Sequence, residues 1–233
     1  MLDLRSKFPD YYQYHGRNIS KKLSLSNVRI LNDYYSKYSL DKKILNISSK
    51  TSTEQLLESS LFRKIIVEVG FGNGEYLIES ALSNPNILFV GSEVYVNGVA
   101  RVLKQIVEHD IKNIRLCGMN FIHLLNILDQ NSIDELKIIN PDPWHKKRHF
   151  KRRLVNLENI IKISGIVKNK YSSYITTDSE NYFNHINEIF SSNSKIIHKN
   201  KNKILSKNDR LYGVSRYQRK AIKYGKKIYQ LTF

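Results

Sequence analysis

Two stretches of this 233-residue sequence carry side chains whose types and spacing suit them to chemistry. The first is NPDPWHKKRHFKRRL, from Asn140 to Leu154, which sets one carboxylate and one indole against a block of positive charge. Asp142 stands between Pro141 and Pro143. Proline fixes φ and lacks a backbone donor, so neither strand nor helix runs through PDP, and the acid is presented on a stiff turn. Trp144 follows, and then Lys146, Lys147, Arg148, Lys151, Arg152 and Arg153 supply six cations with no acid among them. The pattern suits a site that holds a polyanion while one acid works on a planar group. Trp144 is a candidate for stacking on a base and equally for packing that fixes the loop. His145 and His149 are read as phosphate or solvent neighbours rather than as general bases.

The second stretch is EVGFGNGE, from Glu68 to Glu75. Gly70, Gly72 and Gly74 permit a tight strand-to-helix turn and let a ligand approach the backbone. A dinucleotide fingerprint would need its third glycine where Glu75 stands, and a phosphate-binding P-loop would need a GK[ST] ending that is absent. Glu68 and Glu75 would repel a pyrophosphate. They suit a ligand without phosphate and with positive charge, such as the sulfonium and amino groups of S-adenosylmethionine. Glu93 lies nineteen residues beyond Gly74, at the end of the next apolar run, where an acid can accept from two ribose hydroxyls. After the third run, Gly118, Met119 and Asn120 occupy the place where an adenine would meet a polar side chain.

Something must bring these distant residues together. Short apolar runs at Lys64–Val69, Ile87–Val94, Asn113–Cys117, Leu136–Ile139, Tyr171–Thr176 and Ser194–His198 read as strands. The segments Gly74–Ser83, Gly98–His109 and Phe121–Leu128 between them read as helices. Such alternation predicts an α/β fold with a doubly wound, mostly parallel sheet and helices on both faces, with ligands at the carboxyl ends of its strands. Gly74, Glu93, Asn120 and Asp142 then converge on one edge. Residues 1–60 read as a basic, partly helical N-terminal arm, with a helix over Val28–Tyr38 capped by Asn27. Residues 61–233 read as the domain proper, ending in a basic segment, 195–233.

The net charge is +17. Residues 1–30, 146–153 and 195–233 together carry twenty-four Lys/Arg against three acids, a surplus of 21, so the remainder of the chain nets −4. A nearly neutral core dressed with cations at both ends and on one loop fits a nucleic-acid partner. An anionic membrane surface is disfavoured, since the tail is rich in Tyr and Asn and lacks a long apolar helical stripe. Cys117 is the single cysteine, which excludes an internal disulfide or a cysteine-based metal site; its apolar setting marks it as core. No metal site is expected. The opening residues lack the apolar region of a secretory signal and no run is long enough to span a membrane, so a cytoplasmic protein is expected.

The motifs VEVGFGNGEYL, NPNILFVGSEVYVNGV, NPDPWHKKRHFKRRL and TTDSENY resemble those of the bacterial tRNA (guanine-N7-)-methyltransferase family, from about Ile66 to Asp178, with a weaker likeness in the tail. The resemblance implies a Rossmann-like class I methyltransferase fold, S-adenosylmethionine as cofactor and tRNA as partner. It implies cofactor-binding roles for Glu68, Glu93, Asn120 and Asp142, with Asp142 also at the active site, and substrate-binding roles for Lys146 and Asp178. Ser215, Arg216, Tyr217 and Gln218 look like the family's second substrate-binding motif. Arg148, Lys151, Arg152 and Arg153 join the substrate set through the charge run. Asn120 stands where the family usually has Asp, and Gln218 where it usually has Glu.

Guanine N7 carries an in-plane lone pair and no proton, so methylating it needs no base. Catalysis can come from holding N7 in line with the methyl group and matching the charge that develops. Asp142 is the candidate for that charge, and Asp178 for the guanine edge bearing the N1 and N2 donors. The implied product is 7-methylguanosine at the variable-loop guanine, tRNA position 46. Two other readings stay open: a class I methyltransferase acting on another RNA atom, and a non-catalytic RNA-binding protein with a vestigial cofactor site.

Overall fold

The computed structural model describes residues 1–14, 16, 22–168, 173–192 and 201–233. In chain order the helices and strands are α1 (Leu2–Lys7), α2 (Leu25–Tyr38), α3 (Asp41–Leu45), α4 (Thr53–Leu57), β1 (Lys64–Val69), α5 (Glu75–Ser83), β2 (Ile87–Ser92), α6 (Val96–Glu108) and β3 (Ile114–Cys117). They continue with α7 (Phe121–Leu125), β4 (Glu135–Ile139), α8 (Leu157–Ile166), β5 (Tyr174–Thr177), α9 (Glu180–Ser191), β6 (Lys201–Ile204), α10 (Arg216–Lys223) and β7 (Tyr229–Thr232). Short 3-10 turns occupy Pro9–Tyr12 and Lys147–Arg152.

The strands form one sheet in the order β3-β2-β1-β4-β5-β7-β6. The first five are mutually parallel, whereas β7 runs antiparallel to both β5 and β6. Strand order reverses between β1 and β4, which opens a crevice at their carboxyl ends, the usual ligand position in a doubly wound sheet. Ile65 to Val69 are all buried, without polar alternation, because helices cover both faces. On one face, α6 sets Val96, Val99, Leu103 and Ile106 on its inner side, a helical spacing that seals them against α2, α5 and the sheet. Each such aliphatic side chain contributes about 1.5–3 kcal/mol on burial. The opposite face is closed by α7, α8 and α9, with Leu124, Ile163 and Ile186 buried beneath them. Cys117 is buried there as expected.

Several boundaries differ from the sequence reading. Helix α2 starts three residues earlier than expected, because Ser24 is the cap: its Oγ accepts from the Asn27 N–H. Strand β2 stops at Ser92 rather than Val94. Helix α7 ends at Leu125 rather than Leu128. The strand expected over Ser194–His198, and the first residues of the one expected over Tyr171–Thr176, lie outside the described residues.

The expected N-terminal arm is, in its described residues, part of the fold. Leu31 and Tyr35 of α2 pack among the residues of α6, and the Leu40 N–H donates to Leu116 O at 2.8 Å. With the Ser39–Leu116 bridge, this segment covers the β3 edge that would otherwise stand open. Asp41 is buried; its carboxylate accepts from Tyr12, from Tyr35 and from the Gly118 N–H at 2.7–2.9 Å.

Candidate active site

At the carboxyl ends of β1, β2, β3 and β4 lies a cleft of about 730 Å³, lined among others by Glu68, Gly72, Glu93, Asn120, Asp142 and Tyr217. Its size is that of a small-molecule site. Its floor is the glycine turn. Gly70, Gly72 and Gly74 have φ of 73°, 57° and 79°, the left-handed region in which an L side chain is strained. Glu93 fixes the turn from the neighbouring strand end: one carboxylate oxygen accepts from the Gly72 N–H at 2.7 Å and the other from the Tyr95 N–H at 2.9 Å. Gly98, on α6, backs the turn so closely that a Cβ there would lie 2.0 Å from Gly72 O.

Glu68 is 3% exposed, and its Oε2 has no hydrogen-bond partner. It lies opposite Lys137 in the β1–β4 register. Lys137 is also buried, and donates to the Tyr76 hydroxyl at 2.6 Å. Burial pushes the Glu68 carboxyl up to about 8, with Lys137 pulling it the other way. Burial also raises the Glu93 carboxyl, against the opposing effect of its backbone hydrogen bonds. An unpartnered buried carboxyl costs free energy unless a ligand supplies the missing donor.

Asp142 is exposed at the cleft mouth, and its Oδ2 accepts from the Tyr14 hydroxyl at 2.7 Å. Trp144 follows with φ of 43°; its ring meets His149 edge-on at 5.7 Å and lies 5.1 Å beneath the Arg152 guanidinium. That places Trp144 in the packing of the loop while it still lines the cleft.

The charge run divides. Lys146, Lys147, Arg148 and Lys151 are exposed, whereas Arg152 is half-buried at the cleft. Arg153 departs from the expected phosphate-binding role: it is 2% exposed. Its Nε donates to Pro143 O at 2.9 Å and its Nη2 to Asn181 Oδ1 at 2.8 Å, with the guanidinium 3.6 Å from the Phe150 ring centroid. It braces the PDP turn from behind.

The tail motif divides in the same way. Ser215, Arg216 and Tyr217 line the cleft, and Ser215 caps α10. Gln218 does not reach the cleft; it is fully buried, accepting from the Gly213 N–H at 2.9 Å and donating to Thr176 Oγ1 at 3.1 Å. Thr176 in turn donates to Asn140, and Asn140 to Asp178 at 3.3 Å. Asp178 sits outside the cleft lining, paired with Lys226 at 3.1 Å. Gln218 thus ties the tail to the ends of β4 and β5 instead of touching a ligand.

A protein of Wolbachia pipientis wMel named tRNA (guanine-N(7)-)-methyltransferase is 32% identical over 181 residues, 78% of each chain. The family model described as "Putative methyltransferase" (Methyltransf_4) matches residues 62–231. The chain belongs to the tRNA (guanine-N7-)-methyltransferase family. A Rickettsia felis protein named bifunctional methyltransferase is 37% identical over 209 residues, 90% of this chain. This family member spans only 37% of that relative's length. Among solved structures, a 30S ribosomal A1408 methyltransferase from an uncultured bacterium superposes with a TM-score of 0.53 at 20% identity, over 79% of this chain and 94% of that one. That likeness shows the fold: a Rossmann-like class I methyltransferase sheet.

S-adenosylmethionine supplies class I methyltransferases with an electrophilic methyl group. The cleft fits it on two observations: the unpartnered Glu68 oxygen suits its ammonium group, and no atom approaches within 4 Å of a Cβ built on Gly70 or Gly72, leaving the turn open to a ligand. Asn120 accepts from the Ile122 N–H at 3.1 Å and donates to Gln13 O at 2.9 Å. Sequence reasoning missed Tyr14, Lys137 and Lys220. The first carries no local signal. Lys137 is a lone cation in an apolar run, and Lys220 follows Tyr217 by three residues on α10, a spacing that shares a helix face.

Proposed function

We propose that this chain transfers a methyl group from S-adenosylmethionine to guanine N7 in tRNA, at the variable-loop guanine, giving 7-methylguanosine. The observation that carries the reading is Asp142: a carboxylate held between two prolines at the mouth of a cleft whose interior offers Glu68 and Glu93. The Wolbachia relative's name supports the same substrate. In this reading Glu68 takes the cofactor's ammonium group, Glu93 its ribose hydroxyls, and Asn120 meets the adenine. Asp142 faces the guanine as N7 becomes cationic. Its negative charge favours that charge as it develops, and no general base is needed. Tyr217 offers a ring for stacking; it is 71% exposed. Lys146, Arg148, Lys151 and Arg152 hold phosphates of the surrounding backbone. N7 lies on the narrow, deep major-groove edge of A-form RNA, so the target must be a loop or loosened base rather than a stem. A cytoplasmic location accords with a tRNA substrate; no described helix is long and apolar enough to cross a membrane.

The test is chemical. Guanine methylated at N7 becomes labile to borohydride reduction, and aniline then cleaves the chain there. Treated tRNA should be cut at one variable-loop guanine, and only after incubation with both the protein and S-adenosylmethionine. Methyl incorporation without that cleavage would move the target to another RNA atom. Tight tRNA binding with no incorporation would leave a non-catalytic RNA-binding protein.

A further inference from the structure

Residues 11–14 cross the carboxyl edge of the sheet, and Asn120 ties them there. The Asn120 N–H donates to Tyr11 O at 2.8 Å, and its side-chain Nδ2 donates to Gln13 O at 2.9 Å. The Tyr11 ring stacks on His123 at 4.4 Å, one turn into the helix that Asn120 caps. Upstream, Tyr12 is anchored in the core through Asp41, and Arg5 donates to Val94 O at 2.9 Å, beside Glu93. The segment is therefore fixed to the ends of β2 and β3, and its next residue reaches the end of β4. There the Tyr14 hydroxyl donates to Asp142 Oδ2 at 2.7 Å. A Cβ at Gly16 would lie 2.2 Å from the Tyr14 ring, so Gly16 itself sits close against that ring.

We infer that this segment is a strap tied by Asn120, and that it delivers Tyr14 as a positioning residue for the Asp142 carboxylate. The prolines fix the Asp142 backbone but not its side-chain torsions. A neutral donor at 2.7 Å fixes them, keeps the negative charge in place, and occupies one oxygen while the other remains for substrate. The tie also gives the amide at position 120 a purpose. Its oxygen caps α7 while its nitrogen donates to the strap. A carboxylate would keep the cap but set negative charge against Gln13 O.

The turnover part of this inference rests on the proposed methyl transfer; the strap itself does not. Tyr14→Phe should lower kcat roughly tenfold, the loss expected of one hydrogen bond to a charged group, with KM for tRNA and for S-adenosylmethionine within about threefold and an unchanged melting temperature. Asn120→Asp should speed amide hydrogen exchange at residue 120, whose N–H donates to Tyr11 O, while the exchange of α7 stays slow. An active parent whose Tyr14→Phe variant keeps full kcat, or loses only KM, overturns the positioning role. Unchanged exchange in Asn120→Asp overturns the strap. The exchange result stands even if the parent methylates no tRNA, an outcome that would sink the proposed function alone.

Discussion

The affinity for S-adenosylmethionine should rise steeply with pH between 6 and 8, and Glu68 should be the cause. Its carboxyl is buried with an unpartnered oxygen and holds its proton to about 8. A cationic ligand group binds the ionised form. In the free protein about one molecule in a hundred is ionised at pH 6 and about half at pH 8, so apparent affinity should rise roughly fiftyfold, or about 2.3 kcal/mol. Calorimetry in two buffers of different ionisation enthalpy reads both the affinity and the proton released, close to one per ligand at pH 7. Glu93 also has a raised pKa, so the control is Glu68→Gln, which should bind weakly with a much flatter profile. The same group acts on folding with a definite sign. From its ordinary value of 4.5 up to about 8, the native state keeps a proton that the unfolded chain gives up. Stability of the free protein should therefore fall as pH rises through that window, and Glu68→Gln should remove the fall in denaturant melts. A parent profile that is flat and releases no proton, or a Gln variant as steep as the parent, would refute the assignment of Glu68 to the cofactor's ammonium group.

Glu93→Ala removes both the hold on Gly72 and the ribose acceptor, at about 1.5–3 kcal/mol for each hydrogen bond to a charged group; titration should show S-adenosylmethionine affinity at least tenfold weaker, and an unchanged Kd would remove Glu93 from the site. Neutralising the exposed Lys146, Lys147, Arg148 and Lys151 should flatten log K for tRNA against log salt by roughly 2 to 3 units if about three of them meet phosphate, with cofactor binding retained. A parental slope in that variant would mean a merely solvated face. Asp142→Asn keeps shape and removes charge, so single-turnover rates should drop at least tenfold while melting stays near the parent's; parental turnover would end its proposed role.

The sheet was legible wherever burial is local. Lys64–Val69 matches β1 to the residue because a strand covered on both faces is buried without alternation and, Glu68 apart, apolar from Ile65 on, and the glycine turn announced its own backbone. Ends were less legible where a side chain decides them. Ser24 Oγ rather than Asn27 starts α2, and the Glu93 side chain, one residue past β2, takes two backbone N–H groups. The tail strands β6 and β7 were missed because such tetrapeptides, KNKI and YQLT, gain their stability from cross-strand partners far away in sequence. A count of cations could not tell that Arg153 points inward, since Asn181 and Tyr182, which receive it, lie on α9. Nor could any window contain Tyr14 together with Asp142, 128 residues on.

The place of β7 in the sheet also orders events on the ribosome. Strands β1 to β5 pair parallel and can assemble in the order of their emergence. Strand β6 emerges next, but its register partner among the described residues is β7, which sits between it and β5. Its four residues are exposed on their own side chains, so little holds β6 until Tyr229–Thr232 has been synthesised. Helix α10, which brings Ser215, Arg216 and Tyr217 to the cleft, belongs to the same late unit. A nascent chain can thus complete the glycine turn and the PDP loop well before the tail wall of the cleft is fixed, and the cofactor pocket matures ahead of the surface that would grip RNA.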